Sequence, residues 1–445
     1  MFECIIFLIS WGSILIFSWL ILRACNLSLS RPSIPSIVFT FYIGFNYLGI
    51  PLLFFYKVKH LYNIGVQDRD VIWFFWLMSS ICLLLLLLGF LYAKEIFKLN
   101  VKSYETFSYE KHSVEKFEII IILFLCLVIF IRYYTIANVI PLVELLKGGD
   151  IDPSQLRSDA SFFPGKMWRY RLFFRDVLPF ISYCLLALLL VQKSRTTFIL
   201  FVFTLLFTSF VSLMNFHKAP IIYFLIGLIL VYLIKNQKKI TLRNVLIPSV
   251  IVVAVMISTY LLFTDKKIEP RFLLSPFKRV LSGQIGSAYF YLKMFPKDYD
   301  FLYGRGMLPN PGGILPFESF PITKRIQDYK KQDLRERGIH GSSPAVYWAS
   351  AYADFGIPGA FFASFVLGVI IFAVHWFVSR GKLTPLKTAL IVWLAIHLSK
   401  ISVTSLGKFM LDVNLLAILI CSAFITYGPS LRRVTLKGHS VFIAK

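Results

Sequence analysis

Two residues near position 350 carry side chains that can move a proton. His340 is followed by Gly341 and two serines, so small residues flank it and leave room for a substrate. The unperturbed pKa of a histidine suits proton transfer near neutral pH. Asp354 comes just before an apolar run, where an acidic side chain has to face protein or water rather than lipid. The sequence therefore offers two candidate bases, and for His340 a structural role stays open.

Basic residues lie in the same polar parts of the chain. Arginine binds phosphate oxygens through two parallel hydrogen bonds. In the segment 166–175 basic and aromatic residues alternate, which indicates either an anion site or an aromatic belt with cations that reach the lipid headgroups. Arg171 and Arg175 belong to this segment, and Arg157 is a further candidate.

Lys218 opens an apolar run after a very short polar loop. The first turn of a helix presents unpaired N–H groups and a partial positive charge, so a lysine there is well placed to bind a phosphate. The alternative is a lysine that only reaches toward the membrane surface.

The chain is too apolar to fold as one water-soluble domain. It is 57% hydrophobic and 16% charged, whereas about a quarter of the residues of soluble domains are charged. A helix needs about 20 apolar residues to cross the hydrocarbon layer. The sequence predicts an all-α polytopic integral membrane protein, one membrane domain over 1–445, with about eleven spans in a range of ten to fourteen: 4–22, 33–56, 71–93, 119–139, 177–192, 196–214, 219–234, 244–264, 356–378, 384–404 and 409–428.

Charges beside the spans predict the orientation. Glu3 precedes the first span and Arg23 follows it, which is the reverse of a secretory signal, so we expect an uncut N-terminus outside. From that start, each short loop rich in Lys and Arg falls on the cytoplasmic side, as the positive-inside rule requires. The C-terminus is then cytoplasmic, and two long loops, 140–176 and 265–343, face outward.

The net charge of +24 points to two partners. Cytoplasmic retention and attraction to anionic membrane lipid explain most of it, and the remainder in the outward loops indicates an anionic ligand. No zinc-finger, RNA-recognition or helix-turn-helix pattern is present, so we do not expect nucleic acid. The six cysteines lie in or beside the spans without metal-ligand spacing, and the chain has no Gly-rich phosphate loop, so neither a metal nor a cofactor is expected.

The second outward loop has three parts. Apolar residues recur every three or four positions over 275–295, which predicts an amphipathic helix in the plane of the membrane interface. A stretch rich in glycine and proline follows over 301–321 and predicts irregular backbone that covers or lines a cavity. The charged run from Lys324 to Arg337 predicts a solvated helix.

Ionisable residues in the last two spans favour a site that opens outward. On this topology the outer half of the membrane contains His397, Lys400, Lys408 and Asp412. Intramembrane ionisable residues are functional by default, although Lys408 and Asp412 are four apart and can neutralise each other on one helix face.

Several segments together resemble a known family. They are FLYGRGML and LPFESFP in the second loop, HGSSPAVYWASAYADFGIPGAFFASFVLG after it, and HKAPIIYFLIGLILVYLIKN after the sixth span. Over about residues 155–375 the chain resembles the bacterial Wzy-type O-antigen polymerases and, more distantly, the O-antigen ligases. The resemblance implies a GT-C-like glycosyltransferase of the bacterial inner membrane.

The implied reaction transfers a growing glycan from undecaprenyl diphosphate to a new lipid-linked repeat unit on the periplasmic face. The resemblance implies that no metal takes part, and a chain-length regulator protein is a further partner. Cations at the leaving diphosphate stabilise the transition state more than the ground state. The set expected at the diphosphate is Lys218, Lys278, Arg279, Arg157, Arg171, Arg175 and Arg305.

The position of the base departs from the family pattern. The resemblance to the ligases implies a histidine about ten residues before the glycine of the next span. Here His340 precedes Gly356 by sixteen residues, and Ala345 takes the expected place. The departure gives weight to Asp354 as the base.

Two other functions are open. A flippase or transporter of lipid-linked oligosaccharide is expected to show symmetric halves and charges along the whole path. An O-antigen ligase would use the same chemistry on another acceptor.

Overall fold

A computed structural model of the chain describes residues 2–96, 98, 116–137, 139–147, 156, 160, 167–215, 218–236, 241, 250, 253–254, 258, 275–307, 316–336, 341–410 and 412–443. These residues form helices and connecting turns, with no strand among them. In chain order the helices are α1 (Phe2–Ala24), α2 (Ile34–Tyr42), α3 (Ile50–Phe54), α4 (Lys59–Asn63), α5 (Arg69–Ile96), α6 (Lys116–Ile136), α7 (Pro141–Lys147), α8 (Met167–Leu172), α9 (Leu178–Gln192), α10 (Arg195–Leu213), α11 (Lys218–Lys235), α12 (Ser275–Met294), α13 (Ile322–Lys330), α14 (Gln332–Glu336), α15 (Tyr347–Ser379), α16 (Pro385–Ser399), α17 (Gly407–Met410) and α18 (Val413–Ile443).

Nine helical stretches of the described chain are long and apolar enough to cross a membrane. They are Phe2–Ala24, Ile34–Phe54, Arg69–Ile96, Lys116–Ile136, Arg169–Gln192, Arg195–Leu213, Lys218–Lys235, Tyr347–Ser379 and Gly407–Pro429. Large apolar side chains are exposed on them, for example Ile9 on α1 and Leu206 on α10. Exposed apolar surface of this extent suits contact with lipid. The prediction of an all-helical, multi-pass membrane protein is confirmed.

Two of the eleven predicted spans are not among these nine. The predicted span 244–264 lies almost entirely outside the described residues. The predicted span 384–404 corresponds to α16, which has 15 residues and ends in a short 3₁₀ turn, Lys400–Ser402. A helix of that length is shorter than the hydrocarbon layer is thick.

The chain divides into two compact units, each made of separate segments. The first unit contains 1–102, 267–380 and 395–411, and the second contains 103–266, 381–394 and 412–445.

In the first unit, the long helices α5 and α15 pack closely along each other. Glycines make this approach possible: a Cβ atom at Gly89 would lie 2.9 Å from the Cα of Gly368, and one at Gly368 would lie 3.0 Å from the Cα of Gly89. Close backbone approach through small residues is a usual way for helices to associate in a membrane.

Helix α12 confirms the predicted helix at 275–295 but not its surface position. It packs against α3, α5, α15 and the π-helical turn Ile43–Tyr47. From Ile285 to Leu292 every side chain is buried, including those between the apolar positions of the predicted stripe. Aromatic residues such as Phe290 fill the positions that would otherwise be polar. The periodicity therefore predicted the helix correctly, whereas its burial is determined by the helices packed around it.

The second unit is built around α9, which packs against α10 and α11. The Tyr183 hydroxyl of α9 donates a hydrogen bond to the carbonyl of Phe224 on α11 at 3.3 Å. Its ring occupies the space where a side chain at Gly227 would lie. A glycine at this position thus allows a tyrosine to fill the helix interface.

Candidate functional site: a loop held by Asp354, and the basic clusters

Residues 301–307 form a loop that is bound to the first turns of α15. The amide of Leu302 donates to the carbonyl of Ala353 at 3.0 Å, and the amide of Tyr303 donates to the carbonyl of Asp354 at 2.8 Å. Carbonyls at this point of a helix are usually bonded within the helix. They are available to the 301–307 loop because α15 is interrupted just after them.

The interruption lies at Gly356, which has φ +67° and ψ −159°. A backbone with this φ favours glycine, and Pro358 two residues later removes a helical hydrogen bond. The ring of Phe301 packs over Gly356, at 3.2 Å from where a Cβ would lie. The predicted span began at 356, whereas the helix begins nine residues earlier, at Tyr347, and breaks at the predicted boundary.

The Asp354 carboxylate binds the backbone of the 301–307 loop through hydrogen bonds. Its Oδ1 accepts hydrogen bonds from the amides of Gly304 (3.1 Å) and Gly306 (2.8 Å). Tyr303 and Gly304 both have positive φ, +48° and +90°, which turns successive amides toward the same oxygen. A Cβ at Gly306 would lie 3.1 Å from Oδ1 and 3.2 Å from Oδ2. The backbone of Gly304–Gly306 is therefore the part of the loop that wraps around the Asp354 carboxylate.

This arrangement bears on Asp354 as a base. The side chain is fully buried, and its Oδ2 makes no hydrogen bond with the described part of the chain. A base has to touch the hydroxyl that it deprotonates. In this structure Asp354 positions the 301–307 loop, and a substrate would reach the carboxylate only after the loop had moved. Its assignment as the base stays a prediction.

Arg305 is the basic side chain that the 301–307 loop presents. Its Nε donates to the carbonyl of Leu302 at 3.1 Å, and its own carbonyl accepts from the amide of Phe320 at 2.7 Å. The side chain is nevertheless exposed, and Tyr303, two residues earlier, is 72% exposed. A fixed arginine beside an exposed ring suits a ligand that combines phosphate with a sugar or lipid.

The second unit brings two other predicted cations together. Arg171 and Arg175 lie about one turn apart where α8 passes through a π-helical turn into α9. Both act electrostatically on the hydroxyl of Tyr133 on α6, which donates to the Asn215 side chain at 3.3 Å. Arg171 is exposed and Arg175 is half-buried. π-Helical turns are often found at functional sites.

Lys218 is the first residue of α11, at the start of a membrane-spanning stretch, as the sequence predicted. Its side chain is half-buried. Its assignment to a diphosphate stays a prediction.

The remaining predicted site residues lie wholly or partly outside the described residues. His340 and Arg157 are not among the described residues. Lys278 and Arg279 are in the first turn and a half of α12, but only their backbone is described.

Two of the ionisable residues near the end of the chain, His397 and Asp412, make local contacts in the structure. The ring of His397 lies 5.5 Å from that of Phe409. Asp412 precedes α18, and its Oδ1 accepts from the amide of Leu415 at 3.0 Å, in the manner of a helix cap.

Sequence reasoning missed the polar contacts of the charged run. Helix α13 was expected to be solvated, but Ile322 and Ile326 are buried and Lys330 donates hydrogen bonds to buried serines. The spacing of the two isoleucines, four apart, was a signal for a packed helix.

No group of three or more His, Cys, Asp or Glu side chains able to hold a metal occurs in the described part of the chain. No family model, curated protein or solved structure matches the chain. The fold therefore defines the class, a multi-pass helical membrane protein, and the local geometry has to carry the rest.

Proposed function

We propose that this chain polymerises lipid-linked oligosaccharide repeat units at the periplasmic face of a bacterial inner membrane, with its N-terminus on that face. The supporting observation is the pair of exposed side chains Arg305 and Tyr303 on the 301–307 loop, which Asp354 fixes against an interrupted membrane helix. The donor in this reaction is a glycan on undecaprenyl diphosphate, so its phosphates lie next to the membrane. A cation at this boundary suits such a donor.

The chemistry makes a fixed cation useful. When the bond between the glycan and the diphosphate breaks, negative charge develops on the departing phosphate oxygen. A guanidinium that is already in place stabilises this charge without a cost of reorganisation. The hydrogen bond from the Arg305 Nε to the Leu302 carbonyl orients the guanidinium, and the bond from the Phe320 amide to the Arg305 carbonyl holds the backbone of the loop. In the second unit, Arg171 and Arg175 are two further cations of the set expected to bind a diphosphate.

The test compares the surface-glycan ladders of two strains: one in which this chain is deleted, and the same strain carrying a plasmid copy of it. Without the copy we expect lipid A core capped with a single repeat unit and no longer bands. Wild-type protein restores the ladder. A deletion strain without any repeat unit would contradict the proposal and favour a flippase or a ligase.

Substitutions at Arg305 and Arg325 test whether polymerisation depends on the 301–307 loop. Arg305→Ala is expected to lower polymerisation by about 10²-fold, because one charge-stabilising group is lost. Arg305→Lys restores it only in part, since a lysine makes no bidentate contact. Arg325→Ala is the matched control, an exposed arginine of α13 in the same region. Equal ladders from Arg305→Ala and Arg325→Ala, at equal protein levels, would exclude Arg305 from the site.

A further inference from the structure

Three polar side chains meet in the first unit, where α12, α13 and the segment 341–346 come together. The Nζ of Lys330 lies 2.9 Å from the Oγ of Ser343 and 3.2 Å from the Oγ of Ser287. The two hydroxyl oxygens are 2.7 Å apart. We refer to Lys330, Ser343 and Ser287 as the serine–lysine triangle. Both serines are 4% exposed, whereas Lys330 is only half-buried.

The neighbouring backbone holds the triangle together. The amide of Ser343 donates to the carbonyl of Thr323 at 2.9 Å, which ties the segment 341–346 to the start of α13. Ser287 lies on the buried half of α12, and the ring of Phe290, one turn later, is 5.9 Å from the Lys330 Nζ. Three separate parts of the chain thus converge on one amine.

The surroundings of Lys330 disfavour its charged form. Among the side chains that the structure describes, no carboxylate forms an ion pair with it; the side chain of Asp333 on α14 is not one of these. The described side chains of α12 and of the segment 341–346 that contact Lys330 are uncharged: Ser287, Phe290 and Ser343. Burial, and then the charge of Lys331, lower the pKa of Lys330 to about 8. The free amine, which accepts protons, is therefore a minor form of the side chain at pH 7 and the main form above about pH 8.

We infer that the serine–lysine triangle is a nucleophilic site in which Lys330 activates Ser343 toward activated acyl esters. A hydroxyl within hydrogen-bond distance of a base is the general arrangement of an activated serine, and Ser–Lys pairs are one of its known forms. Ser343 is favoured over Ser287 because it is closer to the amine. It also follows the exposed residues Gly341 and Ser342, whereas Ser287 is enclosed within a helix.

The reaction is an acyl transfer to Ser343 followed by release of the acyl group. The Oγ of Ser343 attacks the carbonyl carbon, and its proton passes to the Nζ of Lys330. The bond to the leaving alcohol then breaks, and the Lys330 ammonium returns the proton to that alcohol. Water or another hydroxyl removes the acyl group in a second step of the same kind. Ser287 accepts a hydrogen bond from the lysine and keeps its Nζ aimed at Ser343.

The experiment labels the full-length protein in membranes with diisopropyl fluorophosphate. The Oγ–P bond forms, the P–F bond breaks, and fluoride leaves while Lys330 takes the serine proton. Peptide mass spectrometry is expected to find the phosphoryl group on Ser343 and not on Ser342. The rate of labelling is expected to rise with pH and to level off above about 8, as the lysine loses its proton.

Two variants distinguish activation of Ser343 by Lys330 from labelling that depends only on how exposed a serine is. Lys330→Arg keeps the positive charge but cannot act as a base at this pH, so labelling is expected to fall by about 10²-fold and to lose its pH dependence. Ser342→Ala is the matched control and is expected to label like the wild type. Ser343 labelled no faster than Ser342, or labelled equally in Lys330→Arg, would overturn the inference and leave the lysine as a structural link.

Discussion

At the scale of the residue, the Asp354 carboxylate is the group whose role the structure defines most directly. Asp354→Asn keeps the shape of the side chain but removes its charge. Hydrogen bonds to a charged acceptor are stronger than those to a neutral one, so we expect the attachment of the 301–307 loop to weaken by about 1 to 2 kcal/mol. The measurement is the rate of trypsin cleavage after Arg305 in detergent, which is expected to increase.

The control for this variant is Asp300→Asn, an exposed carboxylate one residue before the 301–307 loop. It is expected to leave cleavage after Arg305 unchanged. If Asp354→Asn is also cleaved at the wild-type rate, the hydrogen bonds from the Gly304 and Gly306 amides do not depend on the charge of the Asp354 carboxylate.

At the scale of the element, the contact between α5 and α15 depends on two glycines. Gly89→Leu places a side chain against the backbone of α15, where Gly368 and its neighbours leave no room. We expect a loss of stability of about 1 to 3 kcal/mol, the usual cost of overpacking. The measurement is the thermal midpoint in detergent, followed by loss of the monodisperse peak in size-exclusion chromatography.

Gly12→Leu is the matched control for this substitution. Gly12 is also in a membrane-spanning helix, α1, but no atom lies within 4 Å of where its Cβ would be. It is expected to keep the wild-type midpoint. Equal midpoints for Gly89→Leu and Gly12→Leu would mean that α5 and α15 do not pack as closely as the structure has them.

At the scale of the whole molecule, the number of crossings decides the topology. From the positive-inside rule we expect the end of α11 in the cytoplasm and the second large loop outside. This arrangement needs one crossing between them, the predicted span 244–264. A reporter that is active only in the cytoplasm is therefore expected to be active when fused after Lys235 and silent when fused after Glu318. Reporter activity at both positions would mean that 244–264 does not cross the membrane. The segments after it would then have the opposite orientation to the one expected.

The sequence by itself determined the class of protein and most of its spans. Long apolar runs such as 71–93 and 119–139 must cross a membrane as helices, because an unpaired backbone is too costly in hydrocarbon. Local residue chemistry also placed a boundary at Gly356, since glycine and proline act on the backbone next to them, and the structure has a break of α15 there instead of a helix start. These features depend on neighbours in the chain, so they can be read without knowing the fold.

Only the tertiary structure decided which polar groups meet. The carboxylate of Asp354 and the amide of Gly304 are 50 residues apart in sequence, and Lys330 is 43 residues from Ser287. Neither pairing has a periodic signal, because each depends on how separate segments pack in the first unit. The same reason explains α12, whose 3.6-residue pattern indicated one apolar face although its second half is enclosed on all sides. Burial is set by the surrounding elements, and a single segment does not contain that information.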